Sequence, residues 1–345
     1  MASLAELLKM WLLALFYGVL VVFRTLISCF TKGFRKVLSS KHRERPSCID
    51  DPSLGTHGFL NLKEGIRIHY VASGPEDKPL MLFVHGFPEF WYSWRHQIRE
   101  FQKDYRVVAI DQRGYSESSK PSGLDNYTVE KLMSDLAQCI QGLGYKKCIL
   151  VGHDWGGIVT WAFGRKYQDM VEKLIVMNCP PIPVFQTILK TCNEQFKKSW
   201  YMYFFQLPLL PEFTLSTNDY AIFNTIPVVS KSSKSESPLQ DGQENEHLAA
   251  YKYTFSQPGA LTPPLNYYRA WFRAKPSFQH DLEYTMPALL IWGTKDKALD
   301  IALPNYVEKN APKIEVQKIE DADHFVQNDA AAAVNQIMRD WLKKM

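Results

Sequence analysis

The sequence predicts an α/β protein with a mostly parallel central sheet, a helical insertion in its second half and an apolar helix at its N-terminus. Three observations lead to this fold class. Short apolar runs of strand length alternate with helical stretches, as they do where helices join the strands of a parallel sheet. The alternation stops between residues 180 and 280. Residues 10–30 carry a single charge, on Arg24.

Residues 1–30 are predicted to form a membrane anchor. A helix over residues 10–30 would be about 30 Å long, which matches the hydrocarbon core of a bilayer. A cleaved signal peptide is one alternative, but no small-residue cleavage site follows the apolar run. A buried core helix is another, but the segment has no polar face.

A basic flank and linker follows at residues 31–56. Six Lys and Arg residues lie between residues 32 and 45, whereas the other side of the apolar run offers only Lys9 and the N-terminus. The positive-inside rule then predicts a single-pass protein whose long C-terminal part is cytosolic. The sequon at residues 126–128 would require a lumenal domain, but such triplets are frequent by chance.

The composition is that of a globular protein, with 46% hydrophobic and 22% charged residues. The formal net charge of +4 comes from the basic flank, and the remainder is slightly acidic. We therefore expect no nucleic-acid partner. The six cysteines are scattered without a C-x-x-C motif, which favours free thiols in a reducing compartment over disulfides.

The remaining chain is predicted to form one sheet domain with an inserted lid. Its core comprises residues 57–179 and 281–345, and the helical lid comprises residues 180–280. A polar tract at about residues 230–246 predicts an exposed loop within the lid. We expect the lid to cover the carboxyl ends of the strands, the edge of an open α/β sheet where ligands bind.

The strands of the core are predicted in order along the chain. A turn-linked pair over residues 57–62 and 66–72 comes first. Several later runs are continuously apolar, as expected for strands buried on both faces. The later strands are Leu80–Val84, Arg106–Ile110, Cys148–Val151, Lys173–Met177, Ala288–Trp292 and Ile314–Ile319, and helices are expected at Val129–Gly142 and Ile158–Tyr167.

One motif carries the chemistry. The strand Cys148–Val151 runs into GHDWGG at residues 152–157. Small residues two positions before and two positions after a polar side chain suit a sharp turn from strand to helix, because larger side chains would clash across it. This is the G-x-S-x-G pattern of a nucleophile elbow with Asp154 in place of serine. The alternative is that Asp154 merely caps the following helix.

Two further candidates follow at strand ends. Asp296 comes after the strand Ala288–Trp292, and His324 after Ile314–Ile319. The chain order nucleophile, acid, histidine is that of the catalytic triad associated with such an elbow. We therefore predict Asp154 as the nucleophile, His324 as the general base and Asp296 as the residue that orients it.

The predicted oxyanion hole combines two backbone N–H groups. One belongs to Phe87, in the HGFPE segment that follows the strand Leu80–Val84. The other belongs to Trp155, directly after the nucleophile. His85 is predicted to support this loop and His153 to form part of the pocket wall.

Over about residues 53–343 the chain resembles the epoxide-hydrolase branch of the α/β-hydrolase family, in particular its membrane-anchored members. The matching segments are HGFPE, DQRGYSES, GHDWGG, WGTKD, DADHF and FSQPGALTPPLNYYR. Two departures are Ser116, where glycine is usual, and Phe325, where tryptophan is usual. The resemblance implies an α/β-hydrolase fold with a helical lid and an endoplasmic-reticulum membrane as the site of attachment.

The resemblance also implies two tyrosine proton donors in the lid. Tyr268 matches the usual donor, and Tyr201 matches its partner, with Tyr203 as the substitute. Core packing is the alternative role for any one tyrosine. The expected substrate-binding residues are Trp155, Pro88 and Phe325.

An aspartate nucleophile selects the reaction. A carboxylate that attacks a saturated carbon displaces a leaving group and forms a stable alkyl ester. The expected reaction is the hydrolysis of lipophilic epoxides, such as those of fatty acids, to vicinal diols, without a cofactor or metal. The alternatives are a haloalkane dehalogenase, a catalytically silent binding protein and, least favoured, a serine esterase. The intact set Asp154, Asp296 and His324 argues against a silent protein.

Overall fold

The computed structural model describes residues 4–225, 245–273 and 282–344. The eight strands in these ranges form one sheet in the order β1-β2-β4-β3-β5-β6-β7-β8. β2 pairs antiparallel with β1 and β4, and all the other pairs are parallel. The strands are β1 Thr56–Asn61, β2 Arg67–Ser73, β3 Leu80–Val84, β4 Arg106–Ile110, β5 Cys148–His153, β6 Val171–Met177, β7 Ala288–Gly293 and β8 Ile314–Ile319.

Burial follows the apolar pattern of the strands. Every residue of β3, β5 and β7 is buried, as the continuous apolar runs predict for strands covered on both faces. The edge strands β1 and β8 keep partly exposed residues. All eight predicted strands are present with small shifts at their ends, and the predicted fold class is confirmed.

Helices join and cover the strands. The predicted helix Val129–Gly142 is confirmed as α4, whereas α5 begins at Trp155, three residues before the prediction, because it starts directly after the turn at Asp154. The helices are α1 Leu4–Lys32, α2 Phe34–Leu38, α3 Arg95–Phe101, α4 Val129–Gly142, α5 Trp155–Lys166, α6 Ile182–Thr191, α7 Asn193–Lys198, α8 Trp200–Phe204, α9 Leu210–Tyr220, α10 Glu246–Ser256, α11 Thr262–Arg273, α12 Ala302–Asn310, α13 Val326–Asp329 and α14 Ala331–Lys343.

The insertion between β6 and β7 is helical in the part that the structure describes. It contains α6 to α11, and the side chains of α8 and α11 approach the end of β5. The exposed loop predicted at about residues 230–246 lies almost wholly outside the described residues. The boundaries proposed for the anchor, linker, core and lid remain predictions.

The N-terminal segment forms a single long helix. α1 is long and apolar enough to span a membrane. It ends at Lys32, directly before Gly33, whose φ of 91° is a conformation that residues with a side chain disfavour. α1 also contacts α8 and α9 of the lid, and α2 contacts α9.

Candidate active site

The sharp turn predicted at residues 152–157 is present. Asp154 lies between β5 and α5 with φ 50° and ψ −119°, a strained conformation for a residue with a side chain. A β-carbon at Gly156 would overlap the carbonyl oxygen of Val84, and one at Gly152 would overlap the Thr160 hydroxyl. The small residues therefore allow β3, β5 and α5 to approach closely enough to form the elbow.

The Asp154 carboxylate is held at both oxygens. Oδ1 accepts a 2.7 Å hydrogen bond from the backbone N–H of Phe87, and Oδ2 lies 3.5 Å from Nε2 of His324. Burial would raise the pKa of this carboxyl, but the His324 ring and the Phe87 amide outweigh burial and hold the pKa below its usual value. The group is therefore an anion in a largely apolar pocket. No side-chain cap bond joins Asp154 to α5, which argues against the capping alternative.

His324 lies between two carboxylates. Its Nδ1 is 2.7 Å from Oδ2 of Asp296. Asp296 is itself fixed by a 2.7 Å bond from the Asn178 side chain and by two backbone N–H groups that follow it. Burial would lower the pKa of His324, but Asp296 and Asp154 together raise it well above its usual value. The resting imidazole is therefore protonated.

The two predicted lid tyrosines lie at the cavity that contains Asp154. Tyr201 and Tyr268 line the same cavity as the carboxylate, and their ring centroids are 5.9 Å apart. Burial and the nearby Asp154 charge raise the pKa of both phenols, so both keep their protons at neutral pH. Tyr203 packs instead against Phe272, with ring centroids 5.4 Å apart, and does not line the cavity.

The space inside this cavity, including the part that is open to solvent, is about 460 Å³. Its lining is mostly apolar, which suits a lipophilic substrate. Trp155 lines it as predicted, whereas Pro88 and Phe325 are not among its described lining residues. Phe325 packs against the ring of His324, with centroids 5.1 Å apart. The lining residues are Asp154, Trp155, Ile158, Cys179, Pro180, Ile182, Phe185, Tyr201, Met202, Tyr268, Trp271 and Leu299.

A buried network that the sequence analysis missed supports the site. Oε2 of Glu89 is 2.6 Å from Nδ1 of His153 and accepts a 3.0 Å bond from the Gly86 N–H. His153 Nε2 donates to the backbone oxygen of His324 at 2.9 Å, and Gln327 donates to Oε1 of Glu89 at 2.8 Å. His153 is thus not a wall residue. It connects the loop after β3 to the loop that carries His324.

His85 takes the supporting role predicted for it. Its ring Nδ1 is 2.8 Å from the Gly86 carbonyl, and its Nε2 accepts from the Gln112 N–H at 3.1 Å. Both contacts fix the backbone immediately before Phe87. The predicted Trp155 N–H belongs to the first residue of α5, one of the amides that a helix start leaves free for other acceptors.

One group outside the cavity has metal-ligand chemistry. Ligand atoms of His57, His69 and Glu117 lie within 4.8 Å of one another. The two facing imidazole nitrogens are 2.8 Å apart, and Glu117 is engaged by Arg45 at 2.6 Å. None of these residues lines the cavity.

An α/β sheet with a nucleophile elbow after β5, an acid after β7 and a histidine after β8 defines a hydrolase of the α/β class. The sequence model of the alpha/beta hydrolase fold matches residues 79–331. Human epoxide hydrolase 4 is 42% identical over 318 residues, which are 91% of this chain and 86% of that protein. Epoxide hydrolase 1 of Caenorhabditis elegans is 43% identical over 313 residues, which are 90% of this chain and 75% of that protein.

Solved structures agree with these relatives. A mutant epoxide hydrolase from Bacillus megaterium, in complex with its product (R)-3-[1]naphthyloxy-propane-1,2-diol, matches with a TM-score of 0.73 and 33% identity, over 83% of this chain and all of that one. The same enzyme with an inhibitor gives 0.72 and 34%, with the same coverage. The chain belongs to the alpha/beta hydrolase family and, within it, to the epoxide hydrolases.

Proposed function

We propose that this protein hydrolyses epoxides to vicinal diols through a covalent ester on Asp154. One observation carries the proposal: an ionised carboxylate at the elbow and two protonated phenols, those of Tyr201 and Tyr268, line the same apolar cavity. A nucleophile and proton donors on opposite sides of a bound ring suit the opening of an epoxide.

In the first step a carboxylate oxygen of Asp154 attacks one ring carbon. The bond between that carbon and the ring oxygen breaks, and the oxygen takes a proton from Tyr268, with Tyr201 as the second donor. Proton donation of this kind contributes about 10²–10⁴-fold in rate. The product of the step is a hydroxyalkyl ester of Asp154 and a tyrosinate.

In the second step His324 activates water. Esterification removes the Asp154 charge, which is one of the two that raise the pKa of His324, so the imidazole can then lose its proton to solvent and act as a base. It removes a proton from water, and the hydroxide attacks the carbonyl carbon of the ester. The N–H groups of Phe87 and Trp155 stabilise the oxyanion, each by about 3 kcal/mol.

The cycle closes without a net change in protons. The tetrahedral intermediate collapses, and the diol leaves with the proton held by His324. The second proton of the attacking water, left on the Asp154 carboxyl, passes to His324 and restores the protonated imidazole, and the tyrosinate is reprotonated from solvent. Asp154 is regenerated as a carboxylate that contains one oxygen from water. No step needs a cofactor or a metal.

The dehalogenase alternative is not favoured. A departing halide needs N–H donors, and Trp155 could offer one. A halide needs no proton, however, so the two phenols that line the cavity would have no role in that reaction. In the opening of an epoxide, in contrast, the phenols protonate the ring oxygen.

We further propose a lipophilic substrate and membrane attachment. The apolar cavity supports the first, and the length and apolarity of α1 support the second. The basic flank after α1 supports a catalytic domain on the cytosolic side, because the cytosolic leaflet carries the anionic lipids that attract Lys and Arg. The resemblance to membrane-anchored epoxide hydrolases supports the endoplasmic reticulum as the membrane. Such an enzyme would act in lipid metabolism or detoxification.

Detergent-solubilised protein tests the reaction when it is incubated with styrene oxide, a fatty-acid epoxide and a haloalkane. We expect diol from the epoxides and no halide release. A single turnover in ¹⁸O-water should give unlabelled diol, because the new diol oxygen comes from Asp154, and should leave the label in the enzyme. Labelled diol in that first turnover would exclude the ester.

A further inference from the structure

Helix α1 has two faces of different character. On one side Met10, Ala14 and Gly18 are buried, and their spacing of four residues places them in one row. This row lies against the lid, because α1 contacts α8 and α9. At its start the Lys9 ammonium lies 5.5 Å from the ring centroid of Phe196 in α7.

The lid contacts of this row are close. The ring of Tyr17 lies 5.9 Å from that of Trp200, the first residue of α8. A β-carbon at Gly18 would lie 2.6 Å from Cδ1 of Leu207, so any side chain at position 18 would push α1 away from the lid. Residues 9–18 therefore make contact with the folded domain along the N-terminal half of the helix.

The opposite face of α1 is apolar and exposed. Leu12, Val19 and Phe23 expose 68, 69 and 62% of their surface. Soluble proteins rarely leave so large an apolar area uncovered. The exposed large apolar residues of α1 are Leu4, Leu8, Trp11, Leu12, Leu15, Phe16, Val19, Leu20, Val22, Phe23, Leu26, Ile27 and Phe30.

The lid continues this apolar surface. Leu209 and Phe213, at the start of α9, expose 77 and 45%, and Trp200 exposes 37%. α2 also contacts α9, and beyond it Arg43 forms an ion pair with Asp219 at 2.5 Å, which holds the linker on the lid as well. Both ends of the N-terminal segment thus lie beside the lid.

These contacts are incompatible with a helix that crosses the bilayer. Crossing would bring residues 10–30 into the hydrocarbon core, yet Tyr17 and Gly18 pack against the lid of the folded domain. We propose that α1 lies in the plane of the membrane surface, with its buried row on the lid and its exposed face in the lipid, and does not cross the bilayer. The proposal rests on the membrane attachment proposed above.

The exposed face fits a lipid bilayer in charge as well as in polarity. Lys32, Arg35 and Lys36 follow at the C-terminal end of the segment, and all three are exposed. Basic side chains at the membrane surface contact anionic lipid headgroups, while the apolar face of α1 enters the acyl region. The lid then faces the membrane in which lipophilic epoxides dissolve.

The arrangement also gives α1 a positioning role in the reaction. α8 contacts α1 through Trp200 and presents Tyr201 and Met202 to the cavity. The helix that holds the protein on the membrane therefore also holds the lid helix that carries a proton donor. Gly18 is the positioning residue, because its size sets the distance between α1 and the lid.

A topology reporter tests the orientation in the full chain. A glycosylation sequon added before Met1 is expressed with sealed microsomes, and the natural sequon at Asn126 reports on the catalytic domain. We expect neither site to be glycosylated, and protease to reach both from outside. A glycosylated N-terminus with an accessible catalytic domain would show a crossing helix and overturn the proposal.

The other outcomes are also decisive. If both sequons are glycosylated, α1 still does not cross, but the cytosolic location proposed above is wrong. If the protein leaves the membrane in high salt or forms soluble dimers through α1, lipid is not the occupant of the exposed face and the inference fails. Neither result affects epoxide hydrolysis, which is assayed separately.

A matched pair of variants tests the contact with the lid. Gly18→Leu adds a side chain toward Leu207, whereas Val19→Leu enlarges a neighbour on the lipid face. Both variants keep the apolarity of α1 and should stay membrane-bound. We expect Gly18→Leu to raise hydrogen exchange in α8 about tenfold, with exchange in β5 unchanged, and Val19→Leu to match the wild type.

The kinetic readout separates positioning from mere stability. Gly18→Leu should slow formation of the alkyl-enzyme, which uses Tyr201, and leave its hydrolysis by His324 and water unchanged. Equal exchange and equal alkylation rates in the two variants would show that α1 does not position α8. A wild-type protein that forms no diol would instead refute the proposed function, and the exchange comparison would still test the contact.

Discussion

Replacement of Asp154 by asparagine tests both the nucleophile and the charge that prepares the base. The amide keeps the size of the side chain and an oxygen that can accept the Phe87 N–H. It removes the negative charge that lies 3.5 Å from Nε2 of His324. Two unit charges at that distance attract by about 5 kcal/mol at an effective dielectric constant of about 20, so the change at His324 should be large.

Two results are expected from Asp154→Asn. Turnover should fall by on the order of 10⁴-fold or more, because an amide is a poor nucleophile. The pKa of His324, followed by NMR of its ring nitrogens, should fall, because one of the two charges that raise it is gone. Mass spectrometry must first exclude reversion to aspartate. Near-normal turnover, or a His324 pKa that does not move, would refute the mechanism.

The same interaction makes stability depend on pH. The folded-state pKa of His324 is raised, so its contribution is complete below the unfolded pKa and is lost as pH rises through the folded pKa. In wild-type protein the free energy of unfolding should therefore decline as the pH rises from the unfolded pKa of His324 through its raised folded pKa. The decline should be smaller in Asp154→Asn, and denaturant titrations at several pH values measure it.

Three further predictions concern the lid and the elbow. Tyr201→Phe should reduce the rate of alkyl-enzyme formation by about 10²-fold in rapid-mixing experiments, whereas Tyr203→Phe, outside the cavity, should leave it unchanged. Gly156→Ala should lower the free energy of unfolding by about 1–3 kcal/mol in denaturant titration, because its β-carbon meets a β3 carbonyl. At Gly164 in the same helix a β-carbon would meet only side-chain atoms, of Leu174 at 3.3 Å and Tyr284 at 3.8 Å, so Gly164→Ala should be nearly neutral. Trp271→Ala should raise the kcat/KM of a naphthyl epoxide relative to styrene oxide by about tenfold, because it widens the cavity; an unchanged ratio would mean that Trp271 does not limit substrate size.

The fold and the reacting groups could be predicted because they depend on local sequence. Strand runs, small residues around Asp154, and polar residues at strand ends are all visible along the chain. The position of Tyr201 rather than Tyr203 in the cavity depends on the orientation of α8, which tertiary packing sets. A signal for Trp271 existed, since it lies one helical turn after Tyr268.

Other features had no local signal. The network around Glu89 joins residues that are 64 and 238 positions apart, so nothing in a short window indicates it. The apolarity of α1 was evident from the sequence, but its packing against the lid was not. A long apolar run does not show which side of the helix contacts the rest of the protein. Phe325 was assigned to the pocket by position, whereas its ring packs on His324.

The Glu89 network joins the two parts of the core that the lid separates in sequence. The hydrogen bond from His153 to the His324 backbone and that from Gln327 to Glu89 tie the base loop to the strand ends before the insertion. The phenols of Tyr201 and Tyr268, in contrast, belong to the lid helices α8 and α11. Displacement of the lid would therefore interrupt ring opening, which uses the phenols. Hydrolysis of an ester already formed on Asp154 would continue, because the groups that it uses belong to the core.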